Sequence, residues 1–169
     1  VTNSEHPTST AVDPAIYRNG MARYAGHVQV LTTEWQGTRR GVTVTAACSV
    51  SDDPATVLVC LNASNQANAI FEQSRHFALN SLASHHQALA KALAGFDRLP
   101  VDERFALGNW MTRETGSPVL SDAPVVFDCR LMDIKSMGSH RVLFGQVVAM
   151  HFGPDNPPLI YLDRAFHAL

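Results

Sequence analysis

Apolar and polar positions alternate with a period of two through "HVQVLTTEW" (27–35) and "RRGVTVTAACSV" (39–50), on either side of the turn-prone "QGT". Such alternation marks half-buried strands, so the two stretches predict a hairpin. The period is different just before them. In "DPAIYRNGMARYAG" (13–26), Ile16, Tyr17, Gly20, Met21 and Tyr24 fall on one helical stripe, with Asp13 as cap, Pro14 in the first turn and Gly26 as the stop. Further along, "TVLVCLN" reads as a buried strand, "NQANAIFEQS" as a helix and "HFALNSL" as a strand. "SHHQALAKALAG" reads as a helix opened by a capping box of Ser84 with Gln87 and ended by Gly95. Residues 96–124 are turn-rich and predict a short helix plus a long ordered loop. Three strands follow, "VVFDCRLMDIKSM", "SHRVLFGQVVAMHF" and "PLIYLD".

The strand from Ser139 is apolar on both faces, with Val142, Phe144, Val148 and Met150 on one side and Leu143, Val147 and Ala149 on the other. A sheet with one face in water would alternate instead. Few helices, hairpin connections and doubly covered strands predict a mostly β fold, a small barrel with helical additions, its outer wall covered in part by a second subunit.

Composition supports one globular unit. A chain of 169 residues buries roughly 70% of its unfolded surface, enough for a self-sufficient core. We expect residues 1–12 to be a flexible N-terminal segment and residues 13–169 a single domain. A net charge of -2 and no basic cluster beyond Arg39–Arg40 argue against nucleic acid. No run of about 18 apolar residues predicts a membrane span, and no secretory leader is expected. Cys48, Cys60 and Cys129 are odd in number and stand among apolar neighbours, which predicts buried, reduced thiols and a cytoplasmic protein.

Dinucleotide, P-loop, HExxH, CxxC and GxSxG fingerprints do not occur in the sequence. His85 and His86 are adjacent on a predicted helix and should project apart, towards solvent, without sharing a metal. Three segments rich in small hydroxyl and amide side chains remain, Thr43–Ser51, Cys60–Asn68 and Ala78–Leu82. Together they suit a flat ligand held close to the backbone and a phosphate held without lysine, although each alone is ordinary turn chemistry.

"GVTVTAACSVSDDPATVLVCLNASN", "FALNSL", "GSPVLSDAPVVFDCRLMDIKSMGSHRVLFGQVVAM" and "PLIYLDRAFHAL" together resemble the short-chain flavin reductases of two-component monooxygenases. The resemblance runs from about Tyr17 to the last residue. It implies a split β-barrel homodimer that binds FMN or FAD, reduces it with NADH or NADPH, and releases it to a monooxygenase acting on an aromatic substrate. It also implies roles for individual residues. Thr43, Val44, Thr45, Ala46 and Ser49 would hold the isoalloxazine ring, and Cys60, Leu61, Asn62 and Ser64 the ring edge, ribityl chain and phosphate. Asn80 and Ser81 would lie beside the ribityl chain or phosphate. His140 would stand where the nicotinamide stacks, positioning its carboxamide or a phosphate, and Tyr161, Phe166 and His167 would enclose the cleft.

The chain departs from the family pattern at Ala47, Ser139 and Gln146, where Asn or Ser, Asp or Thr, and an acidic residue are common. These changes bear on hydrogen bonding to the flavin and on the partner of His140. The chemistry implied is hydride transfer from nicotinamide C4 to flavin N5, with proximity contributing on the order of 7–11 kcal/mol. Two other readings stay open: a non-catalytic flavin- or haem-binding barrel, and a hydrolase using Cys48 or Ser49 with a histidine.

Overall fold

The computed structural model describes residues 11–169; the expected flexible segment lies outside the described residues apart from Ala11 and Val12. In chain order the elements are α1 (Pro14–Ala22), β1 (Gly26–His27), β2 (Gln29–Trp35), β3 (Thr38–Val44), β4 (Ala47–Asp52) and β5 (Ala55–Asn62). Next come α2 (Ile70–Ser74), β6 (His76–Ser81), α3 (Gln87–Ala94), α4 (Val101–Phe105), β7 (Trp110–Thr112) and β8 (Pro118–Leu120). The chain ends with β9 (Val125–Met137), β10 (His140–Phe152), β11 (Leu159–Leu162) and β12 (Ala165–Ala168), and short 3-10 turns precede α2 and α3.

Seven strands form one antiparallel sheet in the order β3-β2-β6-β9-β10-β5-β4. Its two end strands, β3 and β4, are joined by only Thr45 and Ala46. Two residues span at most about 7 Å, so the sheet must curl until its ends meet. The Cys60 N–H, donating to the Ala46 carbonyl at 2.9 Å, continues the β4–β5 ladder into this link. This is a split barrel. The predicted hairpin forms between β2 and β3, with Gln36 (φ 50°) and Gly37 (φ 78°) making the left-handed two-residue turn such a hairpin favours. Its second strand does not continue to Val50 as the alternation suggests. It breaks at Thr45–Ala46, where the chain leaves one end of the sheet and enters the other. The first strand also breaks, at Val28, because Gly26–His27 pairs with β11 in a separate three-stranded sheet, β1-β11-β12.

The barrel has two apolar layers. Leu31, Val59, Phe71, Phe77, Cys129 and Leu143 fill its interior. Outside, α3, α4 and the β7–β8 ribbon bury Val30, Ala78, Leu89, Phe105, Leu120 and Val126 against β2, β6 and β9. Among the described residues the opposite outer wall has no such cover. Register shifts at Phe144/Gly145 and Val147/Ala149 reset the alternation of β10, so Leu143 is buried while Phe144 is half-buried and Met150 exposed. At Gly145 an added Cβ would lie 2.3 Å from the Phe77 ring and 2.9 Å from Cys129 Cβ, which explains the glycine.

Other expectations are corrected. Asp13 caps α1 through bonds to the Ala15 and Ile16 N–H groups, but the helix stops at Ala22 and Gly26 opens β1 instead. The apolar stripe of α1 is not covered by the described residues, Ile16 being 66% and Tyr24 71% exposed. The capping box at Ser84 and Gln87 does not form; the Ala83 N–H donates to Nδ1 of His86, and the His86 N–H returns to the Ala83 carbonyl. Residues 96–124 contain α4 as expected, but much of the predicted loop is the β7–β8 ribbon.

Candidate flavin and nicotinamide groove

Three adjoining hollows run along the seam where the sheet closes. The largest, about 710 Å³, is bordered by Tyr24, Thr45, Ala46, Cys48, Leu58 and Cys60. A second of about 280 Å³ shares Thr45, Ala46 and Cys60 with it and continues to Asn62, Asn65 and His140. The third, about 160 Å³, shares Thr43–Thr45 with the second and is closed by Phe96, Tyr161 and Phe166. Thr45–Ala46 is therefore the hub. Here β3 and β4 are the two end strands of the sheet, and the main chain of the link between them borders the groove.

Several predicted residues converge. Thr43 is held by its Oγ1, which donates to the Ala90 carbonyl at 2.7 Å and fixes β3 against α3. Asn62 closes β5, and its Oδ1 accepts from both the N–H (2.9 Å) and the hydroxyl (2.8 Å) of Ser64. This turn leads into the 3-10 segment whose Asn68 accepts two bonds from Arg40 at 3.3 and 2.9 Å. His140, first residue of β10, is directly across from Asn62. Its Nδ1 meets Oγ of Ser139 at 2.9 Å, so the departure at Ser139 still supplies a partner that orients the ring. Tyr161 and Phe166 pack edge to face with centroids 5.1 Å apart and wall the third hollow. Cys60 lines the groove half-exposed, and burial holds its thiol above the ordinary value.

Others do not join them. Asn80 is fully buried: its amide donates to the Val30 carbonyl and Thr32 Oγ1, both at 3.0 Å, and its Oδ1 accepts from the Leu120 N–H at 2.8 Å. Nothing of it is left for a ligand. Ser81 is buried and accepts from Gln29 Nε2 at 3.3 Å. Leu61 and Val44 are partial exceptions: both pack in the barrel core, yet both also border the second hollow. Ser49 is paired with Val57 and lines a separate hollow at the barrel mouth, beside Gln29 and Ser51. The His167 Nε2 lies 3.1 Å from the Leu162 carbonyl, a local bond within its own hairpin.

The structure also adds residues. Arg18, Asn19 and Arg164 border the largest hollow, so cations are present although no lysine is. Arg164 escaped the sequence reading because β12 went unseen; its Asp163–Arg164 turn lacks the Asn-Gly signal of a tight hairpin. Cys48 is exposed rather than buried, because β4 turns it to the outer wall. Its exposure leaves the reactivity of the thiol to be decided by its neighbours and not by burial. Among the described residues, however, no histidine hydrogen-bonds to Cys48 or Ser49.

His85 and His86 differ from expectation as well. They converge on Asp122, each Nε2 3.2 Å from a carboxylate oxygen, and His86 is buried. Because Nδ1 of His86 accepts the Ala83 N–H, the neutral ring carries its proton on Nε2, and that nitrogen has no lone pair for a metal. Burial lowers the pKa of His86, with Asp122 opposing.

The groove fits a flavin: small side chains at Ala46 and Ala47 allow a flat ring to approach the backbone, and Asn62, Asn65 and Asn68 offer polar groups along one end. Comparison with known proteins agrees. The flavin reductase like domain family matches residues 21–169. The FMN reductase (NADH) RutF 1 of Methylorubrum extorquens (strain PA1) is 41% identical over 169 residues, covering 100% of this chain and 83% of that protein. The FMN reductase (NADH) RutF of Ancylobacter novellus is 42% identical over 168 residues, covering 99% and 92%. The solved structure of flavin reductase PheA2 in its native state superposes with a TM-score of 0.84 at 29% identity, covering 93% of this chain and 98% of that one. The chain belongs to the flavin reductase like domain family and is a nicotinamide-dependent flavin reductase.

Proposed function

We propose that the protein reduces FMN with NADH in the groove at Thr45–Ala46, as a single domain spanning residues 13–169. The observation that carries this reading is the convergence of the sheet seam, Asn62 and His140 on adjoining hollows that share Thr45, Ala46 and Cys60. The printed names of the RutF relatives, FMN reductase (NADH), favour FMN over FAD and NADH over NADPH.

A bound flavin supplies the hydride acceptor and a reduced nicotinamide the donor, so the redox chemistry belongs to these groups. The chain supplies geometry and charge. Main-chain N–H groups of the Thr45–Ala46 connection stabilise the negative charge that accumulates on the ring, in a preorganised setting that needs no lysine. Asn62 and Ser64 hold the polar tail. His140, its plane set by Ser139, positions the nicotinamide and transfers no proton. Tyr161, Phe166 and Phe96 exclude water from one side.

The groove is open, which suits a flavin that is released after reduction to a partner flavin-dependent monooxygenase. The aromatic substrate of that partner rests on the family resemblance alone. The uncovered stripe of α1 and the bare wall formed by β4, β5 and β10 support a homodimer, in which these surfaces cover each other. No helix among the described residues is long and apolar enough to cross a membrane, and three free thiols suit a reducing cytoplasm. Flavin titration tests the site: micromolar, exchangeable FMN binding supports it, and a non-exchanging sub-nanomolar complex contradicts a diffusing product.

A further inference from the structure

The end of the groove remote from His140 carries an unexplained pair of cations. Arg18 on α1 and Arg164 at the tip of the β11–β12 hairpin both border the 710 Å³ hollow, and no carboxylate is among its lining residues. In a chain of net charge -2, two guanidinium groups beside one hollow without a lining counter-charge mark a place for an anion.

The hairpin is built at some conformational cost to hold Arg164 there. Its two turn residues, Asp163 (φ 47°) and Arg164 (φ 61°), both take the left-handed conformation that glycine or asparagine adopts more readily. Glycine would relieve the turn and remove the side chain. The tip is also clamped to α1: the Asp163 N–H donates to the Ala22 carbonyl at 2.6 Å, and Arg164 Nη2 donates to Asn19 Oδ1 at 2.6 Å. That second bond orients the guanidinium by one nitrogen and leaves its other donors without a partner among the described residues. Arg18, one residue before Asn19, makes no hydrogen bond or ion pair among the described residues.

Given the reading that flavin sits at Thr45–Ala46 with its tail towards Asn62 and Ser64, the flavin phosphate occupies the amide-rich end. The phosphates left without a partner are those of the reductant. We propose that Arg18 and Arg164 bind the pyrophosphate of NADH, and that the Arg164–Asn19 bond presets the fork that receives it. Arginine suits this role because its planar donors engage two phosphate oxygens at once.

The test uses the full-length protein with two reductants: NADH, and 1-benzyl-1,4-dihydronicotinamide, which carries the same ring without phosphate. In Arg164→Ala and Arg18→Ala, KM for NADH should rise about tenfold with kcat within about twofold, in line with loss of a charge-assisted bond. Turnover with the benzyl reductant should be unchanged. Calorimetry with ADP-ribose, which has the pyrophosphate but no nicotinamide, should show the same tenfold weakening without any catalysis. Unchanged KM for NADH, or equal loss with both reductants, overturns the proposal. So does a variant that loses its preference for FMN over riboflavin, since the arginines would then serve the flavin phosphate. Arg18→Ala, on an exposed helix face, keeps the test decisive if Arg164→Ala fails to fold. Failure of wild-type protein to bind FMN would instead sink the reading of the groove, and the proposal with it.

Discussion

Asn62 and His140 face each other across the ladder between β5 and β10, one closing its strand and the other opening its own. Neither residue is near the other in sequence. Their pairing places an amide that organises the Ser64 turn beside an imidazole oriented by Ser139; the proposed function assigns the first to the flavin tail and the second to the nicotinamide.

Asn62→Ala removes both bonds to Ser64 and should raise the Kd for FMN about tenfold, the equivalent of about 1.4 kcal/mol. His140→Ala should leave FMN affinity nearly unchanged and lower kcat/KM for NADH about tenfold. Fluorescence titration and steady-state kinetics separate the two. Loss of FMN binding in His140→Ala would mean that the division is drawn in the wrong place.

Asn80→Ala should destabilise the fold without touching the groove. It strands the Leu120 N–H, and an unsatisfied buried donor costs about 1–3 kcal/mol, so Tm should fall by roughly 3–10 °C. FMN affinity of the folded variant should match wild type. A selective loss of FMN affinity with unchanged Tm would restore Asn80 to the site.

How much was legible before the structure follows from these residues. The period-two segments and strands β9, β10 and β11 are readable because side-chain alternation depends only on which face is buried. The break at Thr45–Ala46 is not, since it arises from closure of the sheet, a property of all seven strands together. Asn80 and Asn62 look alike in sequence, each a polar residue at the end of an apolar strand. Only the neighbours across the sheet decide that one is consumed by Val30, Thr32 and Leu120 while the other faces the groove. Arg18 and Arg164 are far apart along the chain, and no local pattern joins them.

Gly145→Ala should cost about 1–3 kcal/mol through overpacking against Phe77 and Cys129. Denaturant unfolding measures this directly. The double variant Gly145→Ala with Phe77→Leu should recover part of the loss if the Phe77 ring is the obstacle.

Acid should weaken the fold through His86 and His76. Burial lowers both below their ordinary 6.5, opposed by Asp122 and Asp128 respectively. The unfolded chain therefore takes up protons near pH 6.5 that the folded chain refuses, and stability falls as pH drops from 6.5 towards the folded values. Asp122 acts in the same direction at lower pH: burial raises its pKa, bonds to His85 and His86 outweigh this and lower it, and its contribution is lost only below its ordinary 3.8. His86→Asn keeps an acceptor for the Ala83 N–H, and its Tm should vary less between pH 7 and 5 than that of wild type. An unaltered pH profile would exclude His86 as a source of the acid sensitivity.

The most direct measurement is anaerobic mixing of the protein with FMN and NADH while the visible absorption of the flavin is followed. Rapid bleaching that requires the protein, and that slows about tenfold in His140→Ala, is the predicted result. A flavin that binds in the groove and stays yellow in the presence of NADH would contradict the account, because the same residues would then form a carrier and not a reductase.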